Sequence, residues 1–332
     1  MEMPTKFTVS ASPHFHSGNT TGTIMADVLI ALVPAGIMSV VLFGQRSLWL
    51  ILISVVSCML FEYVTRRLLK RPNSLGDLSA VVTGVLLAFN LPSNVPMWLP
   101  VIGAFVAIVV VKQFFGGIGQ NFVNPAIVGR ITLMVSFPQY MSVSRWPNPL
   151  AIMNQADAVT SVSPLSQLSD GSIPSLTEMF TKTTDYDPLS MFLGIRPGSL
   201  GETCIAALLI GFAYLCFRKV ISPVIPLLFM GTTVGITWLF GQNPYYNLMS
   251  GGLVLGAVYM ATDYTTCPIN FKGKIVYAIG CGLITAVIRL WGGMPEGVSI
   301  AIVLMNILVP HIERLTTPKP FGYIKEKKEK SA

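Results

Sequence analysis

Charge is scarce in this chain: of its 332 residues only 11% are Asp, Glu, Lys or Arg, against about 25% in an ordinary soluble domain. With 52% hydrophobic residues and a mean hydropathy of +0.64, that deficit excludes a water-soluble enzyme and implies a polytopic membrane protein. Cysteine is sparse as well. The five, Cys58, Cys204, Cys216, Cys267 and Cys281, form no CxxC pair, and four lie in apolar runs. They read as small buried hydrophobes, not as a zinc or cluster site. GxGxxG, P-loop and Ser-His-Asp patterns are absent too, which excludes nucleotide binding or acyl transfer by the familiar motifs. The net charge of +7 does not imply nucleic acid, because the basic residues sit in short clusters such as Arg66, Arg67, Lys70 and Arg71 between apolar runs. That placement orients a protein in a membrane. The polar first 23 residues hold no apolar stretch ahead of a small-residue cleavage site, so no cleaved signal peptide is expected.

What is present is a series of apolar segments. A bilayer-spanning helix needs about 20 mainly apolar residues, fewer where it is broken or re-entrant. Segments near 24–43, 48–64, 75–90, 97–114 and 121–136 meet that need, and five more follow near 200–217, 222–240, 248–264, 273–290 and 297–313. The expected fold is an all-α polytopic membrane protein of about ten transmembrane helices. Its parts are an N-terminal segment 1–23, a first five-helix unit 24–136, a long loop 137–198, a second unit 199–313 and a basic tail 314–332.

The two units repeat at a constant offset of 176 residues, from Ser74 to Ser250, Gly76 to Gly252, Pro92 to Pro268 and Asn94 to Asn270. Gly116-Gly117 meets Gly292-Gly293 at the same offset. Five is odd, so the second unit enters the membrane from the opposite side, giving an inverted repeat. The third and eighth segments are short and run into Asn90-Leu91-Pro92 and Cys267-Pro268, and the fifth and tenth follow Gly-Gly turns. Paired interruptions of this kind mark either a midplane site at the repeat interface or a structural kink. With the N-terminus in the cytoplasm, the inner loops carry Arg66, Arg67, Lys70, Arg71, Lys112, Arg218, Lys219, Lys272, Lys274 and the tail KEKKEKSA, and the short outer loops only Arg46 with Arg289 at a helix end. This is the positive-inside pattern. It places the 137–198 loop outside the cytoplasm, and a loop of that length has a function of its own or is disordered.

Within the outer loop lies Asp157-Ala158-Val159-Thr160-Ser161-Val162-Ser163-Pro164. A threonine hydroxyl can attack an activated phosphorus and form a phosphoester, and Asp157 stands close enough in a turn to take its proton. The small Ala158 and Ser161 leave room for a bulky group. Equally, Asp157 can cap a short helix that contains Thr160.

The octet resembles the flavinylation motif of the RnfD proteins of Rnf electron-transport complexes and of the NqrB proteins of the sodium-translocating NADH:quinone reductase. The resemblance implies FMN joined by an external flavin transferase, through its phosphate, to Thr160. Asp157 then falls on the acidic position, Ser161 on a small one and Ser163 on the final hydroxy position; Val162 departs from the family's alanine. Ser12-Pro13-His14-Phe15-His16-Ser17-Gly18 is similar to the segment before the first span of the RnfD proteins. Asn124-Pro125-Ala126-Ile127-Val128-Gly129-Arg130 resembles a membrane-embedded motif of both groups. The family further implies a complex with partners of the A, B, C, E and G types in a bacterial or archaeal inner membrane. Electrons would pass between ferredoxin and NAD while Na+ or H+ is moved, and the NAD site would belong to partner subunits. A second, non-covalent flavin, riboflavin or FMN, also follows from the family.

Other residues carry two readings each. Arg130 lies mid-span, where an unpaired charge costs about 3 kcal/mol or more; it is a second-flavin contact or an ion-pair partner. Asn124 caps the same helix with Pro125 at the first helical position. Asp27, Glu62, Asp77 and Asp263 sit at cytoplasmic span ends and are expected to pair with nearby Arg and Lys. Glu296, where the first unit has Gln120, is a candidate for a cation or proton. His14 and His16 without a third ligand make no metal site and suit contact with a neighbouring protein of a complex. Two rivals remain: a solute channel of the urea-transporter type, whose five-plus-five architecture this resembles, and a purely structural scaffold.

Overall fold

The first helix of the chain starts where sequence chemistry says it should. The computed structural model describes residues 20–141, 146–147, 160–161, 188–292 and 296–318. Helix α1 (Thr21–Phe43) opens on a capping box: the Thr23 amide donates to the Thr20 hydroxyl, and the Thr20 amide donates to the Thr23 hydroxyl. It ends at Gly44, whose φ of 75° only glycine adopts freely. Helix α2 (Gln45–Leu68) follows at once and packs on α1. A 3-10 turn at Leu75–Asp77 and Leu78 in the left-handed region lead into α3 (Ser79–Phe89). Helix α4 (Leu99–Phe105) runs on as a π-helix over Val106–Gln113, and α5 (Pro125–Ser136) begins at the Asn124 cap.

After the short α6 (Pro138–Met141), the two-residue strands β1 (Trp146–Pro147) and β2 (Thr160–Ser161) pair antiparallel. Helix α7 (Pro188–Leu193) precedes α8 (Ile205–Phe217), α9 (Val224–Leu239) and α10 (Pro244–Met249). Next come α11 (Leu253–Leu255), extended by a π-helix at Gly256–Met260, then α12 (Phe271–Trp291) and α13 (Val298–Thr316).

Helices α1, α2, α12 and α13 are each long and apolar enough to cross a bilayer. Five others are apolar but shorter: α3, α4 with its π extension, α5, α8 and α9. The third expected span is therefore not one helix. Helix α3 has 11 residues, which at 1.5 Å per residue reach about 16 Å, roughly half the hydrocarbon thickness. The eighth expected span, 248–264, is likewise split between the end of α10, α11 and a π-helix. Apolar side chains such as Ile37, Val56, Leu60, Ile210 and Leu283 stay exposed on the outer faces, as a surface in contact with lipid requires.

Inside, α2 and α3 pack closely because Gly84 has no side chain: a Cβ there would lie 2.7 Å from the Val55 Cα. The Ser54 hydroxyl donates to the Gly84 carbonyl at 2.7 Å across the same contact. Helix α1 packs on α8 and α5 on α13, so each half of the chain touches the other. The halves are also sewn together at the end of α3. There the Leu200 and Gly201 amides donate to the carbonyls of Leu91 (3.0 Å) and Phe89 (2.9 Å), groups that a helix end leaves without intrahelical partners.

Candidate functional site

An arginine in the middle of an apolar helix must find counter-charge or water. Arg130, on the second turn of α5 and 5% exposed, finds two carboxylates. Its Nη1 donates to Glu202 Oε1 (3.0 Å) and to Asn90 Oδ1 (2.6 Å), and its Nη2 to Glu296. Asn90 closes α3, Glu202 comes from the stretch ahead of α8, and Glu296 from the link between α12 and α13. One guanidinium thus ties together three regions of the chain.

Two further buried arginines flank it. Arg196 holds the Glu202 carbonyl at 2.7 Å, and Arg289 donates to Asn247 O (2.6 Å) and Ser250 O (3.1 Å). Glu202 Oε2 is buried with no hydrogen-bond partner among the described residues. The structure therefore makes Arg130 an ion-pair partner of acidic neighbours, and brings Glu296 to the same cluster.

The N-terminal end of α5 faces a crevice. Its cavity volume is about 80 Å³, below the 300–1,000 Å³ usual for small-molecule sites. Its apolar wall includes Val82, Leu86, Val258 and Tyr259, and its polar groups include Ser79, Lys112, Asn121, Asn124 and Asp263. Asn124 Oδ1 caps α5 through the Ala126 amide (3.0 Å), while its Nδ2 donates to the Met260 carbonyl (3.2 Å). Asn121 Nδ2 donates to Thr265 Oγ1 (3.0 Å), and Thr265 in turn donates to Asp263 Oδ2 (3.0 Å). Both π-helical stretches contribute, one with Lys112 and the other with Val258 and Tyr259; such widened turns occur often at functional sites.

Of the four acids expected to pair with Arg or Lys at span ends, Glu62 and Asp27 do so. Among the described residues Asp77 and Asp263 form no such ion pair, and Asp263 is held instead by the hydroxyls of Thr265 and Thr266. Glu62 accepts from Lys112 Nζ (2.7 Å) and from the Ser74 hydroxyl, and lies 3.9 Å from Arg66 Nε. Asp27 pairs with Arg218 (3.1 Å) and accepts from the Tyr214 hydroxyl (2.9 Å). Asp77 is half-buried in the turn ahead of α3. Thr160 and Ser161 form β2, with Thr160 opposite Pro147 and Ser161 opposite Trp146. Asp157, Ser163, His14 and His16 lie outside the described residues.

Sequence reasoning missed Glu202 and Arg196 and took Lys112 and Arg289 only as orienting charges. The missed signal was one of position: Glu202 lies three residues ahead of an apolar run of 13 residues, Ile205–Phe217, with Arg196 six residues before it.

Half-length helices whose ends meet around buried ion pairs, beside four long apolar ones, define a multi-pass helical membrane protein. Residues 8–322 match the NQR2, RnfD, RnfE family, and the chain belongs to that family. It is 45% identical over 328 residues, 98% of each chain, to the D subunit of the Na(+)-translocating ferredoxin:NAD(+) oxidoreductase complex of Acetobacterium woodii. It is 40% identical to the D subunit of the proton-translocating ferredoxin:NAD(+) oxidoreductase complex of Clostridium ljungdahlii, covering 95% of this chain and 96% of that one. To the D subunit of the ion-translocating oxidoreductase complex of Halorhodospira halophila it is 34% identical, covering 94% of each.

Proposed function

We propose that this chain is the D subunit of an ion-translocating ferredoxin:NAD+ oxidoreductase complex and carries FMN esterified to Thr160. The observation that carries the reading is its end-to-end likeness to two such subunits together with the Asp157-to-Ser163 octet. Flavin supplies one- and two-electron redox chemistry when bound. The chain's own part is to hold it: a phosphoester leaves the ring free, and the tether keeps it at an outer surface. Thr160 would offer its hydroxyl to the FMN phosphorus of a pyrophosphate donor brought by the transferase, and Asp157 would take the proton. The other phosphate of the broken P–O–P bond would leave with its nucleotide.

A second flavin, riboflavin or FMN without a covalent link, is implied by the family, and Asn124 at the crevice beside α5 would offer it a polar contact. Arg130 has its guanidinium committed to Glu202 and Glu296, so it braces the two halves, and Asn124 serves the crevice.

The membrane arrangement follows an inverted five-plus-five repeat, N-terminus and C-terminus in the cytoplasm and the Thr160 segment outside. Element order supports the repeat: at the 176-residue offset α1 to α5 fall on α8, α9, α11, α12 and α13. One contact recurs as well. Arg71 Nη1 donates to the Gln113 carbonyl (3.1 Å), and Arg289 Nη1 donates to the Asn247 carbonyl (2.6 Å), the same two positions with donor and acceptor exchanged. Partners are the other subunits of the complex, an external flavin transferase and the lipid of a bacterial or archaeal plasma membrane. Either Na+ or H+ is the coupling ion, as the Acetobacterium and Clostridium relatives differ on this point.

Peptide mass spectrometry tests the covalent flavin directly, on chain purified from a host that supplies the transferase. An FMN-sized adduct on the Thr160 peptide, lost in Thr160→Val with the in-gel fluorescence, is the expected result. A colourless, unmodified wild type would overturn it and favour a solute channel of the urea-transporter type.

A further inference from the structure

Helices α1 and α2 leave a groove open between them on the outward side. Its volume is about 470 Å³. Helix α1 lines it from Leu29 to Val41, α2 adds Leu48 and Ile51, and α3 adds Val85 and Phe89. Two features keep the space open. Gly36 has no side chain, and a Cβ there would meet only Phe89 Cζ, at 3.6 Å. Helix α3 stops at Phe89 after 11 residues, too few to run the whole depth of the membrane.

The surroundings of the groove decide what covers it. Helices α1 and α2 are both long and apolar enough to cross a bilayer. Val33, Ile37, Val41 and Leu48 are exposed, and they continue the apolar outer surface on which Val56 and Leu60 stand. The groove therefore opens to lipid and not to water. Every side chain that lines it is apolar, so nothing in it would hold the polar edge of a headgroup or cofactor. Two apolar occupants remain, a lipid chain and a helix of a partner, and size separates them. From Leu29 to Val41 the groove runs about 18 Å along α1. A helix with its side chains is about 10–12 Å across and fills roughly 1,400–2,000 Å³ over that length, several times the space there is. A hydrocarbon chain, about 4–4.5 Å across by the contact spacing of its carbons, fills roughly 200–300 Å³. The chain fits.

We infer that this groove seats an acyl chain of a bilayer phospholipid, which enters from the leaflet at the Gly44 turn and ends against Leu29. Val41 stands close to that turn while Leu29 lies well inside α1, so the turn end is the nearer to the membrane surface. Lipid tails are as apolar as leucine, so no hydrophobic gain draws the chain in. Many small packing contacts hold it, and selection is by the chain and not by the headgroup. The seat also touches the joint between the halves. Phe89 lines it, the Phe89 carbonyl accepts from the Gly201 amide, and the next residue, Asn90, accepts from Arg130.

The test uses the whole complex in nanodiscs of phosphatidylcholine with a small fraction of a phospholipid that carries a diazirine on one acyl chain. The diazirine is placed either near the ester or near the terminal methyl, on a choline or a glycerol headgroup. Labelled residues are read by peptide mass spectrometry after irradiation. The near-ester probes are expected to mark Val40 to Leu48 and the near-methyl probes Leu29 to Val33, alike for both headgroups. Gly36→Leu, which fills the groove, should lower this labelling about tenfold, the loss of a dozen or so packing contacts. Ile37→Trp, at an exposed position, does the same if Gly36→Leu fails to assemble. Val56→Trp, outside the groove, leaves the labelling as it was. Labelling without this order of depth, or undiminished in both filled variants, overturns the seat. So does a wild type with no label on α1, the outcome if a partner's helix covers the groove. A preference for one headgroup overturns selection by the chain.

Discussion

At the scale of single residues, the energetic centre is Arg130. It serves Glu202, Glu296 and Asn90 at once, so its removal leaves two buried carboxylates without their cation. Breaking a buried pair in this way costs about 3–5 kcal/mol. Arg130→Met is expected to lower the melting temperature of the detergent-purified protein steeply, whereas Glu296→Gln, which leaves the pairing with Glu202, costs clearly less. Equal melting of the two variants would show that Arg130 does not bridge the halves. Asn124 gives a second prediction. Alanine there loses the α5 cap, worth roughly 0.5–2 kcal/mol, and with it the tie to the Met260 carbonyl. Asn124→Ala should therefore release non-covalent flavin at a denaturant concentration that leaves the wild type loaded. Arg130 and Asn124 were legible in the sequence because each breaks a local rule: a charge in an apolar run, and a cap followed by proline. Glu202 was not, since it sits in the polar stretch where acids are ordinary, and only its contact over a separation of 72 residues gives it meaning.

At the scale of elements, hydropathy found the apolar stretches but not where their helices stop. The apolar stretch near 75–90 contains Leu78 in the left-handed region, and no property of leucine announces that break. The π-helical turns at Val106–Gln113 and Gly256–Met260 are equally silent, because the same side chains suit an α-helix. Helix packing was partly legible through glycine. Gly84 sits where a Cβ would press on the backbone of Val55, and backbone cannot swing aside as a side chain does. Gly84→Leu is expected to destabilise by more than the roughly 1–3 kcal/mol of ordinary overpacking, seen as loss of folded protein in membranes. Gly231→Leu is the control, having nothing within 4 Å of its would-be Cβ, and should be neutral; a neutral Gly84→Leu would mean that α2 and α3 can separate freely.

At the scale of the whole molecule, the offset of 176 residues was visible in shared Gly, Pro and Asn because those residues mark backbone geometry, which a duplicated fold must keep. What the offset could not give is which halves of each unit meet, since this depends on contacts such as α1 with α8 and α5 with α13. The proposed inverted arrangement predicts a labelling pattern. A cysteine in place of Arg46 should react with a membrane-impermeant maleimide in intact cells, and one in place of Lys272 only after the membrane is opened. Three native cysteines, Cys58, Cys204 and Cys281, are buried and give little background. Reversed reactivity would invert the topology. The bridge at Arg130 also has a bearing on how the protein is made. Its nearer partner Glu202 follows it by 72 residues, which at 5–20 residues per second separates their synthesis by roughly 4–14 s. For that interval the first half stands in the membrane with an uncompensated guanidinium and the open carbonyls of Phe89 and Leu91, so its insertion depends on a holding factor, or on water, until the second half arrives.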